Sequence, residues 1–394
     1  MLNKKLIRIA AVALLFPSIL MILSGCWDKD ELDSLFIVTA ISVDKSESSD
    51  LLDITLQIGK TEPSKGGGGE KSDSQDKSSI LIKDSGKTVT EGIMKLNKSS
   101  SRSLFFQHNQ AILLGSSLAE DGIKDKMDMF FRNNQNRMEV PILVAGERAD
   151  KVLSIKMEQE KSPGIYLSRV MQDLNDISPY YMIRTIDFLS RLREETSAAA
   201  VPVVVVVSEG EKETLMIDGM AIFKNGRMIG KISSEETMGF LFAMGDVKLA
   251  TIVAQSDKGH AVFNTVKMKT KKNVTLRQDG GVKVTLSVNA TLGISELNGF
   301  KGFIPLELVP YLVDMVQEQI KNQITNTFDK TKALSADIFE IGSTIYRTHP
   351  KEWKNMKSDW DKLFSDIELE VEVLVKLPNT GKILQSLEME EGKS

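Results

Sequence analysis

The chain has 394 residues, 41% of them apolar and 26% charged, with a formal net charge of −4 and a single cysteine. That length and balance suit two or three globular domains with cores of their own. A weakly acidic chain without a basic block argues against a nucleic-acid partner, and one thiol excludes an internal disulfide or a cysteine-built metal cluster.

The N-terminus carries Lys4, Lys5 and Arg8, then an apolar stretch over residues 9–23 interrupted only by Pro17 and Ser18. This is the layout of a secretory signal peptide. A membrane-spanning helix needs about 20 apolar residues, and Pro17 weakens an uninterrupted helix. Leu23, Ser24, Gly25 and Cys26 match the lipobox cut by lipoprotein signal peptidase. The expectation is cleavage before Cys26 and acylation of its thiol and amine, with residues 26–34 as a lipidated tether. One acyl chain binds a membrane marginally, whereas two or three, at about 0.8 kcal/mol per buried methylene, hold firmly. Losing Lys4, Lys5 and Arg8 takes the formal charge from −4 to −7.

Beyond the tether, residues 36–44 form a β-branched run that reads as a buried strand, with residues 51–58 as its hairpin partner. Residues 60–79 are rich in Gly, Ser, Lys and Asp and read as a flexible surface loop. Gly66 to Gly69 lack the Gly-Lys-Ser/Thr that a phosphate loop requires. A strand is expected at 80–82, a short helix at 88–96, a strand over 104–114 with a polar centre, an amphipathic helix over 116–132 and a strand at 140–145. Residues 148–195 read as mainly helical, broken near Pro163 and Pro179. Alternating strands and helices point to an α+β layer.

Residues 202–207 are a fully apolar strand. Asn225-Gly226 lies between two apolar runs, a strong hairpin signal. Ser233 followed by Glu235 and Glu236 reads as a helix N-cap with an acidic first turn. Strands are expected at 261–268, 273–277 and 282–293, helices at 305–327, 335–346 and 351–364, and a closing strand at 367–377. In the 305–327 helix Leu308, Leu312, Val316, Ile320 and Ile324 share one face. Trp353, Met356, Trp360 and Phe364 form another stripe, read as core. The expected division is an N-terminal α+β domain over 35–200, a strand-rich middle over 201–300 and a helical C-terminal region over 301–394.

Chemistry is sparse. His108, His260 and His349 are too far apart in sequence to share a helix face, which argues against a metal site. There is no Gly-x-Ser-x-Gly, and acylation of Cys26 leaves no thiol for catalysis. The reading is non-enzymatic, with no cofactor.

Three fragments resemble the spore germination receptor C-subunit family, Ger(x)C. The first is Gly25-Cys26-Trp27-Asp28 with Glu31 and Leu32, directly on the lipobox. The second runs from Gly219 through Phe223 to Gly230, with Gly239 beyond. The third is the tail pattern Asp337, Phe339, Gly342, Pro350, Trp353, Trp360 and Phe364. The resemblance implies three α+β domains with mixed sheets. It also implies a lipoprotein subunit of a nutrient germinant receptor on the outer face of the spore's inner membrane, acting with polytopic A and B membrane subunits. The alternative is an envelope solute-binding lipoprotein that captures a small ligand between two lobes. A lipid-anchored hydrolase ranks last for want of a catalytic constellation.

Overall fold

The β-branched run after residue 34 becomes a central strand of the largest sheet, because both of its faces are covered. The computed structural model describes residues 34–59, 79–132, 137–157, 160–172, 180–194, 196, 198–210, 212–245, 247–300 and 305–378. β1 (Leu35–Lys45) pairs antiparallel with β2 (Leu52–Gly59), which pairs antiparallel with β3 (Ser79–Gly86). On its other side β1 runs parallel to β4 (Ser103–Phe105) and β5 (Ala111–Leu114). The sheet continues through β6 (Ile142–Ala145) and β7 (Ala198–Glu209), both parallel, then β8 (Lys212–Lys224) and β9 (Arg227–Ile232), both antiparallel. Nine strands result, in the order 3-2-1-5-6-7-8-9 with β4 off that path. Residue 200 lies inside β7, and the sheet passes through it without a break.

Short helices cover this sheet. α1 (Val89–Ser99) starts at Thr88, whose hydroxyl accepts from Glu91 N–H at 3.1 Å, while Glu91 reaches back to Lys87 N–H at 2.8 Å. The first bond satisfies a donor that the helix start leaves open, and the second ties the residue before the cap to the first turn. Residues 116–132 do not form one helix. They split into α2 (Ser116–Asp121) and α3 (Asp128–Arg132), because Gly122 adopts φ +116° and ends the first. Residues 104–114 likewise split into β4 and β5, with Asn109 N–H closing a turn onto Phe106 O. Then come α4 (Ala149–Ser154), α5 (Pro163–Gln172) and α6 (Thr185–Arg191). Pro163 opens α5, where its missing N–H costs nothing.

Asn225 and Gly226 take φ +52° and +80°, the left-handed pair that a two-residue hairpin requires. α7 (Ser234–Met244) follows with a full capping box between Ser233 and Glu236, and it ends at Gly245 in the left-handed region. A second sheet, order 10-11-12-13, contains β10 (Thr251–Ser256), β11 (Gly259–Leu276), β12 (Val282–Asn298) and β13 (Glu368–Lys376). The two strands expected at 261–268 and 273–277 are one continuous strand, β11. β13 is parallel to β12, so both sheets are mixed.

α8 (Pro305–Ala333) packs on the second sheet through Leu308, Leu312, Val316, Ile320, Ile324 and Phe328, all buried and four residues apart. Behind it lie α9 (Ile341–Thr348), α10 (Pro350–Met356), a 3-10 turn (Lys357–Asp359) and α11 (Trp360–Ser365). The helix expected over 335–346 begins only at Ile341, because Ser335 and Glu340 have positive φ. Trp353 and Trp360 meet edge to face at 5.0 Å and are buried with Phe364, so the aromatic stripe is core. One apolar core runs between the two sheets, and a second lies beneath α4 and α5 on the far face of the nine-stranded sheet. The fold is α+β, as its patterning leads one to expect.

Candidate functional site

Leu23, Ser24, Gly25, Cys26, Trp27, Asp28, Glu31 and Leu32 lie outside the described residues. Gly219, Phe223 and Gly230 are brought together on the β8–β9 hairpin, and each has a packing reason. Gly219 sits at the β8 bulge opposite Val203 with φ +74°, where a Cβ would collide with the Ile232 carbonyl oxygen. Phe223 is fully buried and meets Phe188 of α6 edge to face at 5.2 Å. At Gly230 a Cβ would press on Leu334, just past α8. Gly239 lets α7 cross α8 closely: its Cβ would strike Gln323 O, and Thr327 Oγ1 donates to Glu236 O at 2.7 Å. The second family fragment is therefore the seam where the first sheet meets α7 and α8.

The third fragment forms a joint beside that seam. Asp337 is buried, and its carboxylate accepts from Ile341 N–H at 2.9 Å and Gly342 N–H at 2.7 Å, capping α9. Burial raises its pKa to about 6 against the pull of those two bonds. Lys272 of β11 donates to Phe339 O at 2.5 Å; burial lowers its pKa, partly offset by Glu340 and Asp337. Glu340 pairs with Arg191 of α6, and Ser343 donates to Glu194 at 2.9 Å. At Gly342 a Cβ would press on Thr196 and Trp353. This short loop ties the C-terminal sheet to the α6 end of the first.

A second polar cluster sits at the carboxyl end of β1. Asp44 accepts from Ala149 N–H at 2.7 Å and Asp150 N–H at 3.0 Å, fixing the start of α4. Burial raises its pKa. Arg148 bridges Asp53 at 3.0 Å and Asp150 at 2.8 Å, and Lys83 reaches Asp150 at 2.7 Å. Burial acts to raise Asp150, but the bonds from Arg148 and Lys83 overcome it and hold the group at about 2. Sequence reading missed this cluster, whose partners are about a hundred residues apart.

Next to it lies a cleft of about 680 Å³ between α4, the distal half of β7 and the end of β9. Its walls include Val152, Ile155, Val205 and Val206, with Arg148 and Lys231 at the rim. His108 lines a different hollow with Gln110 and Arg169, His260 is on β11 and His349 precedes α10, so the structure does not gather the histidines. Among the described residues no three His, Cys, Asp or Glu side chains stand where they could hold a metal. What these clusters do chemically is fix helix ends and join elements.

Comparison with known proteins places this fold. Residues 28–206 match the family described as spore germination protein N-terminal domain, and residues 218–381 match spore germination B3/GerAC like, C-terminal. The chain belongs to the Ger(x)C family of germinant receptor C subunits and has a role in spore germination. Spore germination protein KC of Bacillus subtilis (strain 168) is 25% identical over 95% of this chain and 97% of its own. Spore germination protein A3 of the same organism is 26% identical over 92% and 95%. The crystal structure of the GerBC protein superposes with a TM-score of 0.56 at 17% identity, covering 86% of this chain and 97% of that one, and shows the same fold.

Proposed function

We propose that this chain is a non-enzymatic, lipid-anchored subunit of a nutrient germinant receptor that assembles with polytopic A and B membrane subunits. One observation carries the reading: a pair of family matches, over residues 28–206 and 218–381, the first of which begins directly behind a lipobox ending at Cys26. Cys26 supplies the anchor, residues 27–34 the tether, and the α+β body the docking surface. The protein sits on the outer face of the cell membrane and, in spores, of the inner spore membrane. The clusters around Asp44 and Asp337 support a structural assignment, since each spends its charges on backbone amides and neighbouring ions.

The test is Cys26→Ala. The body should keep its melting temperature while the protein leaves the membrane fraction and nutrient germination falls. A variant that stays membrane-bound with normal germination would favour an uncleaved helix. Co-purification of the wild-type chain with A and B subunits checks assembly. A solute-binding lipoprotein would instead gain about 2.7 kcal/mol of stability with ligand at a hundred times its dissociation constant.

A further inference from the structure

The cleft beside α4 has an unusual floor. β6 ends at Ala145, and its line is prolonged only by Gly146, whose N–H donates to Val204 O at 2.8 Å. The chain then turns away into α4, while β7 runs on to Glu209, paired with β8 alone. Because backbone groups of residues two apart point the same way along a strand, Val206 and Ser208 face the side that β6 has vacated. Neither N–H has a hydrogen-bond partner among the described residues. Val206 also lines the cleft.

Two contrasts say what fits there. First, most of the charged side chains around the cleft are engaged, all but the exposed Glu213: Arg148 by Asp53 and Asp150, Lys151 by Glu147 at 2.9 Å, Asp218 by the Ser234 hydroxyl at 3.3 Å and Lys231 with the Ser116 hydroxyl at 3.5 Å. Along the side of β7 that β6 has vacated, the open hydrogen-bonding capacity is therefore chiefly main-chain, in the spacing that another extended backbone matches. Second, the fold guards another free stretch of strand, in the second sheet. Beyond Thr265, whose N–H still bonds Ala250 O at 2.9 Å, β11 carries the exposed Lys267, Lys269 and Lys271, the charged residues that block edge-to-edge association. The free stretch of β7 reads Val205-Val206-Val207-Ser208, half-buried at the valines, with no lysine or proline.

We propose that the β7 edge is a docking slot for an extended segment of a partner protein, which adds to the nine-stranded sheet in the line of β6. Main-chain bonds to Val206 and Ser208 supply affinity, and apolar side chains of the incoming strand pack against Val152, Ile155 and Val205. This deepens the receptor-subunit reading and rests on it only for the source of the strand.

The experiment uses the full chain in detergent and a blocked peptide, acetyl-Thr-Val-Thr-Val-Thr-amide, with amide hydrogen exchange across residues 203–210 as readout. The Val206 and Ser208 amides should exchange freely in the chain alone and slow at least about tenfold with peptide. A peptide N-methylated at its valines should have no effect. Val206→Pro removes an N–H that makes no internal bond, so the melting temperature should hold while peptide affinity falls at least about tenfold. Val207→Pro, whose N–H faces β8, should instead destabilise the hairpin. Amides already protected in the free chain, equal binding of the N-methylated peptide, no slowing with peptide, or protection that depends on protein concentration alone would each overturn the proposal, the last by naming a second copy as occupant. Because only this chain and a peptide are involved, failure here removes the slot and leaves the receptor reading standing.

Discussion

Asp44 and Asp337 do the same job in two regions of the molecule. Each is a buried carboxylate whose two oxygens accept adjacent backbone N–H groups at the start of a short helix. They differ in reach and company. Asp337 caps a helix four and five residues ahead, with Lys272 as the nearest buried cation, and its pKa rises to about 6. Asp44 caps a helix more than a hundred residues ahead, inside a network where Arg148 and Lys83 hold two further carboxylates low. The local cap shapes one loop, whereas the distant one joins β1 to β6 and α4. The same bonds thus carry tertiary structure in one place and secondary structure in the other.

The largest expected effect follows from that difference. Asp44→Ala strands the buried Ala149 N–H and the part-buried Asp150 N–H and loosens α4 from the sheet, and we expect a loss of about 3 kcal/mol in urea unfolding. A loss below about 1 kcal/mol would show that α4 is held without it.

The second effect is one of pH. Asp337 has a folded pKa near 6 against an unfolded value near 3.9, so the native state binds the proton more tightly. Its contribution is fully present below the unfolded pKa and is lost as pH rises through the folded one, about 1 kcal/mol between pH 5 and pH 7. Asp150, at about 2, has the opposite sign, its contribution being lost only in stronger acid. Asp337→Asn should therefore flatten the slope of stability between those two pH values while leaving acid unfolding below about pH 4 unchanged. An unaltered slope would assign it to another group.

The smallest effect is at the joint itself. Glu340→Gln weakens its pair with Arg191, both partly exposed, and should cost under about 1 kcal/mol. A larger loss would mean that this one pair, and not the loop's several contacts together, holds the two sheets at the joint.

Legibility in the sequence followed range. The N-cap at Ser233 with its acidic first turn, the Asn225-Gly226 turn and the spacing of Leu308 to Ile324 are set by residues within a turn or two, and each was readable; the reciprocal bond from Glu236 and the continuation of that helix past Thr327 to Ala333 were not. Nor was the continuity of β11, because beyond its pairing with β10 it carries lysine at 267, 269, 271 and 272, the last turned inward to Phe339 O, and this breaks the apolar alternation. The split after Gly122 was hidden because Leu118, Ile123, Met127 and Phe130 are all buried yet come from two helices and the turns between them. Among motif residues, Gly219, Phe223 and Gly230 were picked out by resemblance, but their packing reasons depend on Ile232, Phe188 and Leu334. The Asp44 cluster and the β7 edge arise only when distant segments meet, so no local pattern announced them.

The parallel placement of β13 against β12 has a consequence for the order of events during synthesis. The nine-stranded sheet has all its strands by residue 232, whereas the four-stranded sheet lacks a member until residue 376. A parallel partner that arrives only after a long helical crossover must close a large loop before any ladder bond forms. All strands of the first sheet are thus made while the later half, from α7 to β13, is still to come, and the apolar core that the two sheets share can close only when that half has followed.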